Sequence, residues 1–131
     1  MPTANGHFEV KRWNEAPYEE LDDGAKLTRA EVDQAFSGDI EGDGAAQWLM
    51  SYRRDGTAHF VGLQRVTGVL ADRAGSFVLE TVGDFDGAEA RWAATVIGGS
   101  GTGDLEHLNG SGSFRAPHGS TAEFRLEYQL G

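Results

Sequence analysis

Tyr52, His59 and Arg65 are the residues of this sequence whose chemistry and spacing best suit a reaction centre. An imidazole titrating near neutrality, beside a phenol that can donate from an apolar wall, makes a proton-transfer pair. A guanidinium on the same wall would neutralise a carboxylate or enolate of a bound molecule. The three converge if Asp55-Gly56 is a two-residue hairpin loop, the type that needs positive φ at both positions. Counting out from that loop sets Arg54 opposite Thr57, Tyr52 opposite His59, Met50 opposite Val61, Trp48 opposite Leu63 and Ala46 opposite Arg65, all on one face. The count places Arg53 and Gln64 on the other face, and a slip of one residue would invert every assignment. Plainer roles stand beside these: His59 and Tyr52 as a cross-strand contact near a rim, Arg65 as the partner of an acid on the next strand.

These residues need strands to carry them, and the sequence supplies period-two segments. In AEFRLEYQL, Ala122, Phe124, Leu126, Tyr128 and Leu130 alternate with Glu123, Arg125, Glu127 and Gln129, which is a half-buried strand. Less clean alternation runs through HFEVKRW, KLTRAEVDQAF, AAQWLMSYR, AHFVGLQRVTG, SFVLETVGDF, AEARWAATVI and GSFRA, making eight strands separated by Gly, Asp and Pro turn signals. Frequent strands with short turns predict an all-β fold, an antiparallel barrel or sandwich. DLEHL, Asp104 to Leu108, is the one weak candidate for a helical turn. A second Asp-Gly loop at Asp86-Gly87 sets Phe85 opposite Ala88, Thr81 opposite Trp92, Leu79 opposite Ala94 and Phe77 opposite Val96, with Asp84, Glu80, Glu89 and Arg91 facing out. Glu80 is therefore read as a solvated carboxylate.

Residues 98 to 112, GGSGTGDLEHLNGSG, hold six glycines in fifteen positions. Dinucleotide binding wants G-x-G-x-x-G after a strand and opening a helix, and a phosphate loop wants G-x-x-x-x-G-K-[ST]. Neither is present. Leu105, Leu108 and Phe114 continue through the glycines, which argues against a linker and for a tight, backbone-dominated crossing between strands.

Length and charge bound the rest. A chain of 131 residues with 39% hydrophobic content is the size of one domain, 1–131, able to bury a core without staples. With no Cys, disulfides, thiolate metal sites and a Cys nucleophile are excluded together. The net charge of −10 opposes a phosphate backbone, and the scattered arginines offer no stripe for anionic lipid. No nucleic acid or membrane partner is expected, and the absence of a signal-like apolar run predicts a cytoplasmic protein. The histidines are dispersed without metal-ligand spacing, and Asp39, Glu41 and Asp43 mimic the start of a calcium loop that fails at Met50, where glutamate is required. No metal or cofactor is expected, and no G-x-S-x-G elbow points to a hydrolase.

The runs FEVKRWNEAPY, KLTRAEV, FSGDIEGDG, YRRDGTAHFVGLQRVTGVL, GSFVLETVG and GSGTGDLEHLNGSGSF resemble a small bacterial family of uncharacterised proteins, a domain of unknown function. That family is similar in fold to allene oxide cyclase, and the glycine stretch resembles the G-G-T-G-x-F-x-x-A-x-G signature of the wider superfamily of plant dirigent proteins and bacterial polyketide cyclases. The resemblance implies an eight-stranded antiparallel barrel with an apolar interior, no metal, no redox cofactor and possible homo-oligomers, but no particular reaction. It also implies a histidine within FVLETVG, where this chain has Thr81, while His59 stands where the family more often has a small, hydroxyl or aromatic residue.

An eight-stranded barrel is just wide enough to fill with side chains or to hold one small ligand. The expected ligand-facing set is Trp48, Met50, Leu63, Phe77, Thr81, Trp92, Phe124 and Tyr128, with Ala46 and Ala94 leaving room and a mouth near His59. Two functions follow from such an interior. One is a cofactor-free cyclase or isomerase that holds a polyketide-like or unsaturated substrate against Tyr52, His59 and Arg65; the other is a carrier of a small hydrophobic molecule. Convergent polar groups favour the first, an apolar lining the second. A filled barrel acting through its outer surface is the third reading.

Overall fold

The structure is a computed structural model that describes residues 2–118 and 121–131. Eight strands close into an antiparallel barrel: β1 (Thr3–Glu20), β2 (Lys26–Gly38), β3 (Ile40–Tyr52), β4 (Ala58–Leu70), β5 (Arg73–Phe85), β6 (Ala90–Val96), β8 (Asn109–His118) and β9 (Thr121–Gln129). Each pairs with its neighbours in that order; β4–β5 and β9–β1 complete the ring, and the two-residue β7 (Thr102–Gly103) adds to β5. Closure leaves the barrel wall without open edges over its paired length. The helical element among the described residues is a three-residue 3-10 turn at Asp22–Gly24, too short to cross a membrane, whereas Asp104–Leu108 forms successive hydrogen-bonded turns.

The interior is aromatic. Phe8, Phe36, Trp48, Phe60, Trp92, Phe114 and Phe124 form a continuous cluster, with Trp92 stacked on Phe114 at 5.1 Å and edge-on to Trp48 at 5.3 Å. Two glycines let the strands beside the tryptophans approach closely. A Cβ at inward-facing Gly62 would lie 2.1 Å from Gln47 O and 2.6 Å from the Trp48 ring, and one at Gly83 would lie 2.3 Å from Arg91 O and 2.4 Å from Trp92 Cβ. A strand glycine here marks a close approach of the neighbouring backbone.

The two Asp-Gly loops differ from the two-residue type, with opposite consequences. At the first, Tyr52 pairs with Ala58, leaving a longer loop in which Arg53 N–H donates to Thr57 O (2.7 Å) and Gly56 N–H to Arg53 O (3.1 Å). Only Gly56 takes positive φ (+88°); Asp55 stays at negative φ and accepts from the Thr57 amide and hydroxyl. A glycine in the left-handed position after a tight turn is the three-residue hairpin pattern. The extra residue shifts β4 by one place, so Ala58, Phe60, Gln64 and Val66 face in and His59, Leu63 and Arg65 face out. At the second, Asp86 Oδ1 accepts from the Ala88 and Glu89 amides, and Phe85 pairs with Ala90. That is a shift of two, which preserves faces: Phe77, Leu79, Thr81, Trp92, Ala94 and Val96 are all buried.

The glycine-rich connection closes one end of the barrel. It leaves β6, pairs briefly with β5 through β7 and buries Leu105 and Leu108 in the core. Gly103 has φ +61°, and a Cβ at Gly101 would lie 2.0 Å from Leu105 O, so both positions need the missing side chain. Leu105→Ala should lower the unfolding free energy by about 2–5 kcal/mol, read from urea denaturation; a loss well under 1 kcal/mol would show that the connection is not a plug.

Candidate functional site

The opposite end is open. Trp48, Trp92, Phe8 and Phe60 form the floor of a cavity of about 250 Å³ that reaches solvent among the β3–β4 and β5–β6 hairpins and the start of β9. Its walls are Val10, Met50 and Phe85, and small residues Ala88, Ala90, Ala116 and Ala122 leave the space unfilled. Tyr52 and Thr121 bring hydroxyls to the rim. The Trp48 indole N–H is already spent on Thr81 Oγ1 at 3.0 Å, and Thr81 in turn donates to Gly62 O. The lining is thus almost wholly apolar.

One polar cluster stands at the mouth. Glu15 accepts from Trp13 Nε1 (3.0 Å), Thr28 Oγ1 (2.6 Å) and Tyr52 OH (2.8 Å). Trp13 and Tyr52 border both the apolar cavity and a polar cleft that holds Glu15, Lys26 and Arg53, so the carboxylate ties together the partition between them. Lys26 lies over the Tyr52 ring at 5.2 Å. Partial burial first, and then the Glu15 hydrogen bond, raise the Tyr52 pKa well above the ordinary phenol range, so the group stays a neutral donor. Glu15 reaches this position through a bulge: β1 pairs Val10 with Gln34 but Arg12 with Asp33, and the skipped Lys11 changes the parity. Inward residues are Phe8 and Val10 before it, Trp13 and Glu15 after. Sequence reasoning ended this strand at Trp13 and missed Glu15; the signal was the continued alternation of Trp13, Glu15 and Pro17.

The expected site residues separate into three groups. Tyr52, Trp48, Met50 and Trp92 line the cavity. Phe77, Thr81, Phe124 and Tyr128 face inward and are buried, but pack the core away from it, as do Ala46 and Ala94. His59, Arg65 and Leu63 lie on the outer wall, because the longer Asp55-Gly56 loop moves β4 by one residue. His59 Nδ1 is 3.1 Å from Asp84 Oδ1, which also accepts from Arg53; Arg53 first and His59 second hold that carboxyl below its usual range. Arg65 reaches the Ser76 hydroxyl at 3.3 Å. No proton-transfer pair of Tyr52 with His59 exists, and the mouth opens beside Tyr52. Gln64, expected outside, is fully buried and donates to Gln34 Oε1 at 2.9 Å, with Gln64 Oε1 and Gln34 Nε2 left unpaired.

Comparison with known proteins agrees with this architecture. The crystal structure of a protein of unknown function from the DUF3224 family of Shewanella oneidensis MR-1 is similar at 25% identity with a TM-score of 0.78, covering 100% of this chain and 98% of that one. No curated protein matches. The family model described as "Protein of unknown function (DUF3224)" matches residues 4–128, and the chain belongs to that family.

The Tyr52 shift carries a pH dependence. An unfolded tyrosine ionises near pH 10 and the folded one higher, so this contribution to stability is complete below about pH 10 and is lost as pH rises through the folded value. Stability should fall above about pH 10 in the wild type and less steeply in Tyr52→Phe. Ultraviolet titration of the native protein should show a late-ionising phenol that is missing from Tyr52→Phe; a titration curve unchanged in shape by the substitution would remove Tyr52 as the cause.

Proposed function

We propose that the chain, as a member of this family, is a binding protein for a small hydrophobic molecule, held in the apolar cavity at the open end of the barrel. The observation that carries this reading is the asymmetry of the barrel: aromatic floor, one end closed by Leu105 and Leu108, the other holding about 250 Å³ of apolar space open to solvent. Ligand pockets usually run from about 300 to 1,000 Å³ with few polar groups, so the occupant is small. Burial of its apolar surface supplies the affinity, at about 25 cal/mol per Å² before the costs of association.

Catalysis of a cyclisation or isomerisation has one supporting observation, the Tyr52–Glu15 hydrogen bond at the mouth. A neutral phenol beside a carboxylate could polarise one substrate oxygen while the cavity holds the reactive conformer. With His59 and Arg65 outside, the further polar groups on the lining are the Thr121 hydroxyl and the Trp92 indole N–H, which is buried without a partner; neither is a base or a cation, and carriage of an unaltered ligand is the better-supported function. The acidic chain and the scattered basic residues support neither nucleic acid nor membrane as partner, and the reading needs no cofactor.

Quenching of tryptophan fluorescence by a hydrophobic probe such as 1-anilinonaphthalene-8-sulfonate tests the cavity, since Trp48 and Trp92 form its floor. Ala90→Phe should weaken probe binding at least about tenfold, a change of about 1.4 kcal/mol. Its stability cost should fall below the about 1–3 kcal/mol usual for overpacking, because the ring enters existing space. Unchanged probe binding in a folded Ala90→Phe variant would overturn the assignment.

A further inference from the structure

The shift that carries Leu63 and Arg65 out of the barrel gives the outer wall an unusual composition. Across β3, β4, β5 and β6 the register aligns Leu49, Val61, Val82 and Ala93 in one row and Gln47, Leu63, Glu80 and Thr95 in the next, followed by Ala45, Arg65 and Val78. Leu49, Val61, Leu63 and Val82 are 39–52% exposed, each adjoining another. Single exposed aliphatics are ordinary, but a contiguous block on a sheet face marks a contact surface.

The charges of this face set it apart from the rest of the chain. Arg12, Arg29 and Arg65 are balanced there by Glu31, Asp33 and Glu80, whereas the chain as a whole carries −10. Two copies repel at long range, and a locally neutral, apolar face is where they can meet. Arg12 pairs with Asp33 and Arg29 with Glu31, but Arg65 and Glu80 have no ion-pair partner among the described residues. They sit on neighbouring strands, on opposite sides of the diagonal that runs through Leu49, Leu63 and Val78.

We propose that this face is the interface of a two-fold dimer of the chain, in which Arg65 of each copy meets Glu80 of the other. A two-fold axis along the diagonal sets Leu49, Leu63 and Val78 against their own counterparts and turns the Arg65 side of one copy onto the Glu80 side of the next. Such a surface is self-complementary, as an isologous contact requires. The barrel ends stay clear, so the cavity mouth remains open in the dimer and the inference does not depend on what the cavity binds.

Sedimentation velocity at about 100 µM, a range that reveals weak as well as stable interfaces, should give twice the 14.1 kDa chain mass. Leu63→Lys and Arg65→Glu should each weaken the dimer at least about tenfold while the far-ultraviolet circular dichroism stays that of the folded barrel, since both side chains lie outside it. The double variant Arg65→Glu with Glu80→Arg should dimerise again, because the swap restores both pairs. A monomeric wild type overturns the proposal, as does a dimer indifferent to Leu63→Lys. A charge swap that does not restore association overturns the Arg65–Glu80 contact.

Discussion

The close pairing of Trp48 with Gly62 and of Trp92 with Gly83 is the constraint on which the rest of the barrel depends. A Cβ at Gly62 would collide with Gln47 O and the Trp48 ring, and one at Gly83 with Arg91 O and Trp92 Cβ, so neither position accepts a side chain. These contacts tie β3 to β4 and β5 to β6, and the Trp48–Thr81–Gly62 hydrogen bonds join β3 to β5 across β4. Without Thr81 the Trp48 indole N–H would be buried unpaired, as the Trp92 indole N–H is, at a cost of about 1–3 kcal/mol. The indoles also divide the interior: a packed aromatic layer beneath them, open apolar space above.

That division makes the two ends of the barrel unequal. One receives Leu105 and Leu108 from a connection whose glycines let the backbone pass close to β5. The other receives alanines from β6, β8 and β9, and alanines do not reach the axis. A bulge in β1 then carries Trp13 and Glu15 over the edge of that space, where a single carboxylate gathers three donors. The apolar volume and its polar border come from different strands, and the border is formed by the part of β1 that extends beyond its pairing with β9.

Burial also explains why the wall chose its register. Had β4 turned the other way, Arg65 and His59 would have entered a space lined by tryptophan and phenylalanine, with no acid to pair the guanidinium; an unpaired buried charge is prohibitively costly. The observed register instead buries Phe60, whose ring meets Trp48 at 5.7 Å and Trp92 at 5.8 Å. It also buries Gln64, a neutral amide that finds Gln34. The residues turned outward are those able to face water, together with aliphatics that leave the outer wall partly apolar.

Alternation in AEFRLEYQL, the spacing of eight strand segments and the turn signals between them determined an all-β antiparallel fold and the inward face of β9, because a strand's side-chain period is fixed by backbone geometry; closure into a barrel rather than a sandwich was implied by the family resemblance alone. The same alternation identified β5 and β6 correctly even though their loop was misjudged, since an error of two residues leaves the faces unchanged. What it could not determine was an odd displacement. The Asp55-Gly56 loop gains one residue from hydrogen bonds among Arg53, Asp55 and Thr57, and β1 gains one from a bulge at Lys11; both are invisible to composition. Those two single residues removed His59 and Arg65 from the interior and brought in Glu15. The sequence by itself determined which side chains alternate; only tertiary packing, by testing which face the core could accept, decided which of them look inward.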